Sequence, residues 1–167
     1  MIACETNRLI MRRFTLADLA ALATIHADPD VMRFIGGVRS IEDVGARLRD
    51  VIGAYERNGF GKWAVVLRST GELIGRCGPT IEPIDGVDEV EVGYDFAKHS
   101  WGQGLATEAA AAVVDHCFTV LGRRRVIALI DPYNEPSKRV ALRLGMSDER
   151  PVQWRNKTMR LYVRRLP

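Results

Sequence analysis

Two glycines one residue apart, Gly102 and Gly104, separate a stretch that alternates from a stretch at helical spacing. From Val90 to Phe96, the residues Val90, Val92, Tyr94 and Phe96 fall on one face of a strand, with Glu91, Gly93 and Asp95 on the other. The turn Trp101-Gly102-Gln103-Gly104-Leu105-Ala106 follows, and Ala109 to Leu121 continues as a helix. A helix entered through glycines presents bare backbone N–H groups and the positive end of its dipole to whatever lies in front. Such a place holds an anion, and phosphate is the usual one. The chemistry implied is the binding of a phosphate-bearing molecule beside a strand that carries carboxylates.

The elements that must position this turn can be taken in chain order. Arg8 to Arg13 reads as a short strand. Thr15 and Asp18 then form a capping pair before an apolar helical stripe that Asp28-Pro29 interrupts. Val31 to Ile35 adds one helical turn. Ser40 opens a second helix that Asn58-Gly59 ends. The period then changes to strands at Lys62 to Arg68, Glu72 to Cys77 and Val90 to Phe96, an antiparallel meander. After the glycine turn and its helix, Arg125 to Ile130 is an unbroken apolar run, as in a strand covered on both faces. Pro136 opens a helix over Ser137 to Leu144, and Gly145 stops it. Strands at Val152 to Arg155 and Thr158 to Val163 close the chain. The order β-α-α-β-β-β-α-β-α-β-β predicts one α/β domain over residues 1–167, with a mixed sheet that is parallel only around the glycine turn.

Composition narrows the partners. With 47% hydrophobic and 27% charged residues, the chain has the balance of a folded globular protein. Net charge is only +3, so no global attraction to nucleic acid is expected. No apolar run is long enough to span a membrane, and the first eight residues hold no signal-like segment. Cys4, Cys77 and Cys117 lack disulfide or zinc spacing, which points to a reducing cytoplasm and no metal; Cys77 and Cys117 read as small core residues.

One reading of the glycine turn is a dinucleotide fingerprint, with Asp131 at the end of the next strand for a ribose. The fingerprint wants its third small residue three places after Gly104, and that place is Thr107. The other reading comes from likeness. W-G-Q-G-L-A-T-E-A, with E-V-G-Y before it and N-E-P-S and L-G-M after it, resembles the GNAT superfamily of N-acetyltransferases, and within it the Rim-type ribosomal-protein N-terminal acetyltransferases. The likeness extends to the opening N-R-L-I-M-R-R and covers nearly the whole chain. The family's Arg/Gln-x-x-Gly-x-Gly/Ala signature falls on Trp101 to Ala106, with Trp101 in place of the first polar residue.

The resemblance implies a GNAT-like fold in which the strand before the turn splays from its parallel neighbour. It implies acetyl-CoA as cosubstrate, with no metal. Backbone N–H groups of Gln103, Gly104, Leu105, Ala106 and Thr107 would hold its pyrophosphate, and Val92, Gly93 and Tyr94 would flank the pantetheine arm. Asn134 would bond the pantetheine amides. Glu91 is the implied base, with Glu89 as a rival, and Ser137 would contact the cofactor or protonate the leaving sulfur. Where many members carry a tyrosine for that proton, this chain has Ala141. The implied acceptor is a primary amine, foremost a protein N-terminus; a small-molecule amine, or a non-catalytic acyl-CoA-binding role, are the alternatives. Monomer and homodimer both remain open. Tyr55, Phe60, Trp63 and Trp154 read as core before cleft, and His26, His99 and His116 as neither ligands nor bases.

Overall fold

In the computed structural model, which describes residues 1–166, eight strands form one sheet in the order β1-β2-β3-β4-β5-β6-β8-β7. They are β1 (Ile2–Glu5), β2 (Leu9–Arg12), β3 (Trp63–Leu67), β4 (Leu73–Ile84), β5 (Val87–Phe96), β6 (Arg125–Ile130), β7 (Ser147–Trp154) and β8 (Lys157–Arg165). The helices are α1 (Leu19–His26), α2 (Pro29–Met32), α3 (Ile41–Asn58), α4 (Leu105–Thr119) and α5 (Glu135–Arg143). All strand pairs are antiparallel except β5 with β6, which α4 connects.

Local chemistry starts and stops the helices. The Asp18 carboxylate accepts from the Thr15 N–H at 2.8 Å, and Ser40 Oγ accepts from the Asp43 N–H at 3.2 Å. Gly59, at φ 78°, closes α3 in a conformation other residues resist. The apolar row of β5 faces α4, whose Ala109, Ala110, Val113, Val114 and Cys117 are fully buried against β3 to β6. On the opposite face, α1 and α3 close over Phe14, Leu22, Val44, Leu48 and Ala64. Both core cysteines are buried as their apolar neighbours suggested.

Several boundaries differ from the sequence reading, four of them with a clear physical reason. An edge strand, β1, precedes the first one expected and pairs with β2 across a bulge. Helix α4 starts at Leu105, four residues early, because Gly104 takes the capping place at φ 75°. Strand β4 runs on through Pro79 to Ile84; its pairing with β3 ends at Cys77, so Pro79 has no ladder bond to lose on that side. Strand β7 begins at Ser147 and tolerates Pro151 because it is an edge. No helix among the described residues is long and apolar enough to cross a membrane.

Candidate active site

The glycine turn is built for an anion. Gly102 and Gly104 both sit at φ 75°, a conformation nearly free for glycine and costly for any residue with a Cβ. The first intrahelical bond is from the Glu108 N–H to the Gly104 carbonyl at 3.0 Å, and α4 has no side-chain cap. Backbone N–H groups from Gln103 to Thr107 therefore find no acceptor among the described residues. Trp101 does not face the turn's donors; its indole N–H binds the Phe96 carbonyl at 2.8 Å and ties the turn to the end of β5. Arg8 braces the other side, donating to the Gln103 carbonyl at 2.9 Å and to Glu108 at 2.6 Å.

Beside the turn the sheet opens. Strands β5 and β6 pair only at Glu91 and Ile127, so from Val92 onward the facing edges of the two strands are unpaired. A cavity of about 570 Å³ runs through this gap. Val92, Gly93 and Tyr94 line one wall, Ala128 to Asp131 the other, and Asn134, Ser137 and Ala141 of α5 close one end. The other end lies between α3 and the β7–β8 hairpin, where Trp154 is part of the wall. Trp154 thus lines the cleft while also packing against the Ile127, Met159 and Leu161 cluster. Tyr55, Phe60 and Trp63 keep the core reading, each buried.

Glu91 and Glu89 share a face of β5 but have different surroundings. Glu89 is drawn to Arg125 at 3.1 Å and does not line the cavity. Glu91 lines it at the point where the strands part, and one of its oxygens accepts from both Lys62 Nζ and Thr80 Oγ1 at 3.0 Å. Its second oxygen, Oε1, takes part in neither bond. Gly93 leaves room for this arrangement, since a Cβ there would come within 2.6 Å of Glu91 Oε1. Lys62 is placed by its own carbonyl, which accepts from the Tyr55 hydroxyl at 2.6 Å. Burial pushes that phenol's pKa up to about 12, so it remains a donor.

At the other end, Asn134 Oδ1 caps α5 by accepting from the Ser137 N–H at 3.2 Å. This engages the Asn134 side-chain oxygen and leaves its amide nitrogen without a protein acceptor among the described residues. The Ser137 hydroxyl lines the cavity with the Tyr94 phenol as its neighbour. Tyr94 turns its phenol toward Ser137. Burial pushes the Tyr94 pKa up to about 12, with the nearby serine drawing it down. The sequence assigned Tyr94 only a main-chain role, and its hydroxyl beside Ser137 is a site feature that reading missed.

A profile of the GNAT acetyltransferase domain matches residues 8–147. The chain belongs to the GNAT acetyltransferase family. It is 33% identical over 165 residues to Bacillus subtilis YkkB, an uncharacterized protein, covering 96% of this chain and 94% of that one. An acetyltransferase from Agrobacterium tumefaciens superposes with a TM-score of 0.85 at 27% identity, covering 98% and 94% of the two chains. A RimL ribosomal L7/L12 α-N-protein acetyltransferase in complex with coenzyme A superposes with a TM-score of 0.83, covering 99% and 98%. At 18% identity that last likeness is one of fold.

This GNAT protein is an N-acetyltransferase that takes acetyl-CoA as donor. The dinucleotide reading falls with that assignment. The chain's own features fit the cosubstrate: five free N–H groups on a helix dipole suit a pyrophosphate, and the unpaired strand edges offer amide partners along an arm. Ala141, in the place of the family's tyrosine, is buried in the cavity wall at 2% exposure.

A second polar cluster was not legible in the sequence. His26 of α1 is 1% exposed, and its Nε2 lies 3.0 Å from Asp95 Oδ1. Asp95 Oδ2 accepts from Arg76 Nε at 2.5 Å. The buried histidine, the carboxylate and the arginine tie α1 to β4 and β5, and Arg76 and Asp95 form part of the cavity wall. His99 is an exposed partner of Glu72, and His116 packs edge-on against Trp63, with burial lowering its pKa.

Proposed function

We propose that this GNAT enzyme acetylates a primary amine by direct transfer, with the α-amine of a protein N-terminus as the foremost acceptor. Glu91 is the base that receives the amine's proton, through Oε1 or an intervening water. Lys62 and Thr80 hold its other oxygen and fix the carboxylate's orientation. When bound, acetyl-CoA supplies an acetyl group activated as a thioester. Gln103 to Thr107 hold its pyrophosphate through the main chain, Val92 to Tyr94 flank the pantetheine, and Asn134 offers its amide nitrogen. Ser137 donates a proton where the sulfur leaves, and the Tyr94 phenol lies within its reach. A thiol ionises near pKa 8.5, so the sulfur departs without a strong acid, which agrees with alanine at position 141.

The observation that carries this reading is the single cavity that places Glu91 where β5 and β6 part and Ser137 on the α5 side. An N-terminal α-amine has a pKa near 8, against about 10.4 for lysine, so a carboxylate base is adequate for the former. RimL, whose fold this chain shares, acts on an α-amine of a ribosomal protein by its description. Mass spectrometry of a panel of N-terminal peptides, lysine-containing peptides with blocked N-termini and polyamines, each incubated with acetyl-CoA, tests the proposal. Acetylation of free N-termini in preference to lysines is expected. Acetylation of polyamines alone would move the acceptor to small molecules. A protein that acetylates nothing yet binds acetyl-CoA would be a binding module.

A further inference from the structure

The end of the cavity between α3 and the β7–β8 hairpin is unevenly charged. Its carboxylates are mostly engaged: Glu91 by Lys62 and Thr80, Glu82 by Trp154 and Arg155, and Asp95 by Arg76 and His26. Arg39 and Arg47 also line it, and neither has an ion-pair partner among the described residues. Arg39 is half-buried, and its guanidinium donates only to the Ile35 carbonyl at 2.7 Å. Asp50, one turn after Arg47 on α3, is exposed and pairs with neither arginine. A guanidinium kept in a partly desolvated wall beside other guanidiniums is a costly arrangement that a bound anion relieves.

We infer that Arg39 and Arg47 form an anion subsite for the acceptor, which is therefore an amine carrying a carboxylate several bonds from the reacting nitrogen. This rests on the acetyl-transfer reading above. The cosubstrate's phosphates are not the anion in question, because the Gln103–Thr107 cradle does not line this cavity. Burial first, then Arg47 and Arg76, lower the Arg39 pKa to about 10, against the opposing pull of Asp95 and Asp43. Asp95, which Arg76 holds, lies four residues along β5 from Glu91 on the same face, a span of about 13 Å. A carboxylate adjacent to the reacting amine does not cover that distance. An acidic side chain two or three residues into an extended peptide does, at about 3.4 Å per residue plus the side chain's own length.

Matched acceptors test this. Amidated tetrapeptides beginning with serine, with Glu or Gln at the second, third or fourth place, form one arm. 11-Aminoundecanoate, long enough to cover that span, and its amide form a small-molecule arm. In at least one pair the anionic member should show kcat/KM about tenfold higher or more, the range of one charge-assisted hydrogen bond. That ratio should fall toward one in Arg39→Gln and Arg47→Gln and be kept in Arg47→Lys. Equal use of both members in every pair, or a preference that both glutamine variants keep, would overturn the subsite. Turnover of none of the probes, with acetyl-CoA still bound, would count against the acetyl-transfer reading instead. Calorimetric titration of the same probes into coenzyme A-saturated protein then decides the subsite: binding of the anionic members alone supports it, and equal or absent binding refutes it.

Discussion

Replacing Asp95 by Asn tests the buried cluster at the cavity wall. The carboxylate is 6% exposed and meets two partners at once, the Arg76 guanidinium through Nε at 2.5 Å and the His26 imidazole through Nε2 at 3.0 Å. Asn keeps the shape but removes the charge, leaving the Arg76 guanidinium desolvated without a counter-ion. Breaking a buried pair in this way costs about 3–5 kcal/mol. Arg76 retains 15% exposure, so the lower end, about 3 kcal/mol, applies. For a domain of this size each kcal/mol moves Tm by about 2–4 °C, which predicts a drop of about 6–12 °C by scanning calorimetry. The pH dependence has a definite sign. Burial would raise the Asp95 pKa, but Arg76 and then His26 outweigh it and hold the carboxyl well below the usual range. Its stabilisation is therefore complete above the unfolded carboxyl pKa of about 3.9 and is lost as pH falls below that toward the depressed folded value. The gap in Tm between the protein and Asp95→Asn should be full at pH 6 and narrow in strong acid. A loss under 2 °C at pH 6, or a gap that widens on acidification, would refute the reasoning.

Further substitutions probe the two ends of the cavity. In Gly104→Ala the new methyl meets only Arg8, at 3.7 Å, so the cost to the free protein is that of positive φ, about 1–2 kcal/mol, read as a modest Tm loss. The same methyl should crowd a bound pyrophosphate, and calorimetry should show acetyl-CoA affinity at least about tenfold weaker, a change of 1.4 kcal/mol. Ser137→Ala and Tyr94→Phe should each lower kcat by less than about a hundredfold, the low end of what a single proton donor contributes. The double variant should lose more than either alone if the two hydroxyls substitute for one another, and stopped-flow detection of free thiol would report this.

The fold was legible wherever one face of an element is buried and the other wet. Strand β5 shows it: Val90, Val92 and Phe96 are buried and Glu91 and Gly93 less so, as the alternation required. The early start of α4 was hidden because Gly104 caps through its backbone conformation, and Leu105-Ala106-Thr107 carries no capping side chain of the usual kind. Strand β1 escaped because four half-exposed residues at a sheet edge leave no periodic trace. In the site, the turn and Glu91 could be read from a contiguous stretch. The partners that orient Glu91 could not: Lys62 is 29 residues away and Thr80 eleven, and only the sheet register brings them together. The same holds for His26 and Asp95, 69 residues apart. A histidine ending a helix was read as neither ligand nor base and Asp95 only as a residue on a strand's polar face; their pairing and burial are properties of the packed molecule.

The central claim is that Glu91 accepts the acceptor's proton during acetyl transfer, and release of coenzyme A thiol by Glu91→Gln tests it most directly. With a serine N-terminal peptide and acetyl-CoA near pH 7, the variant should lose about 10²–10⁴ in kcat, the contribution of a positioned general base. Its affinity for acetyl-CoA, measured in parallel, should stay within a few-fold of the parent's. Thiol release by Glu91→Gln at a rate close to that of the unsubstituted protein would contradict the account.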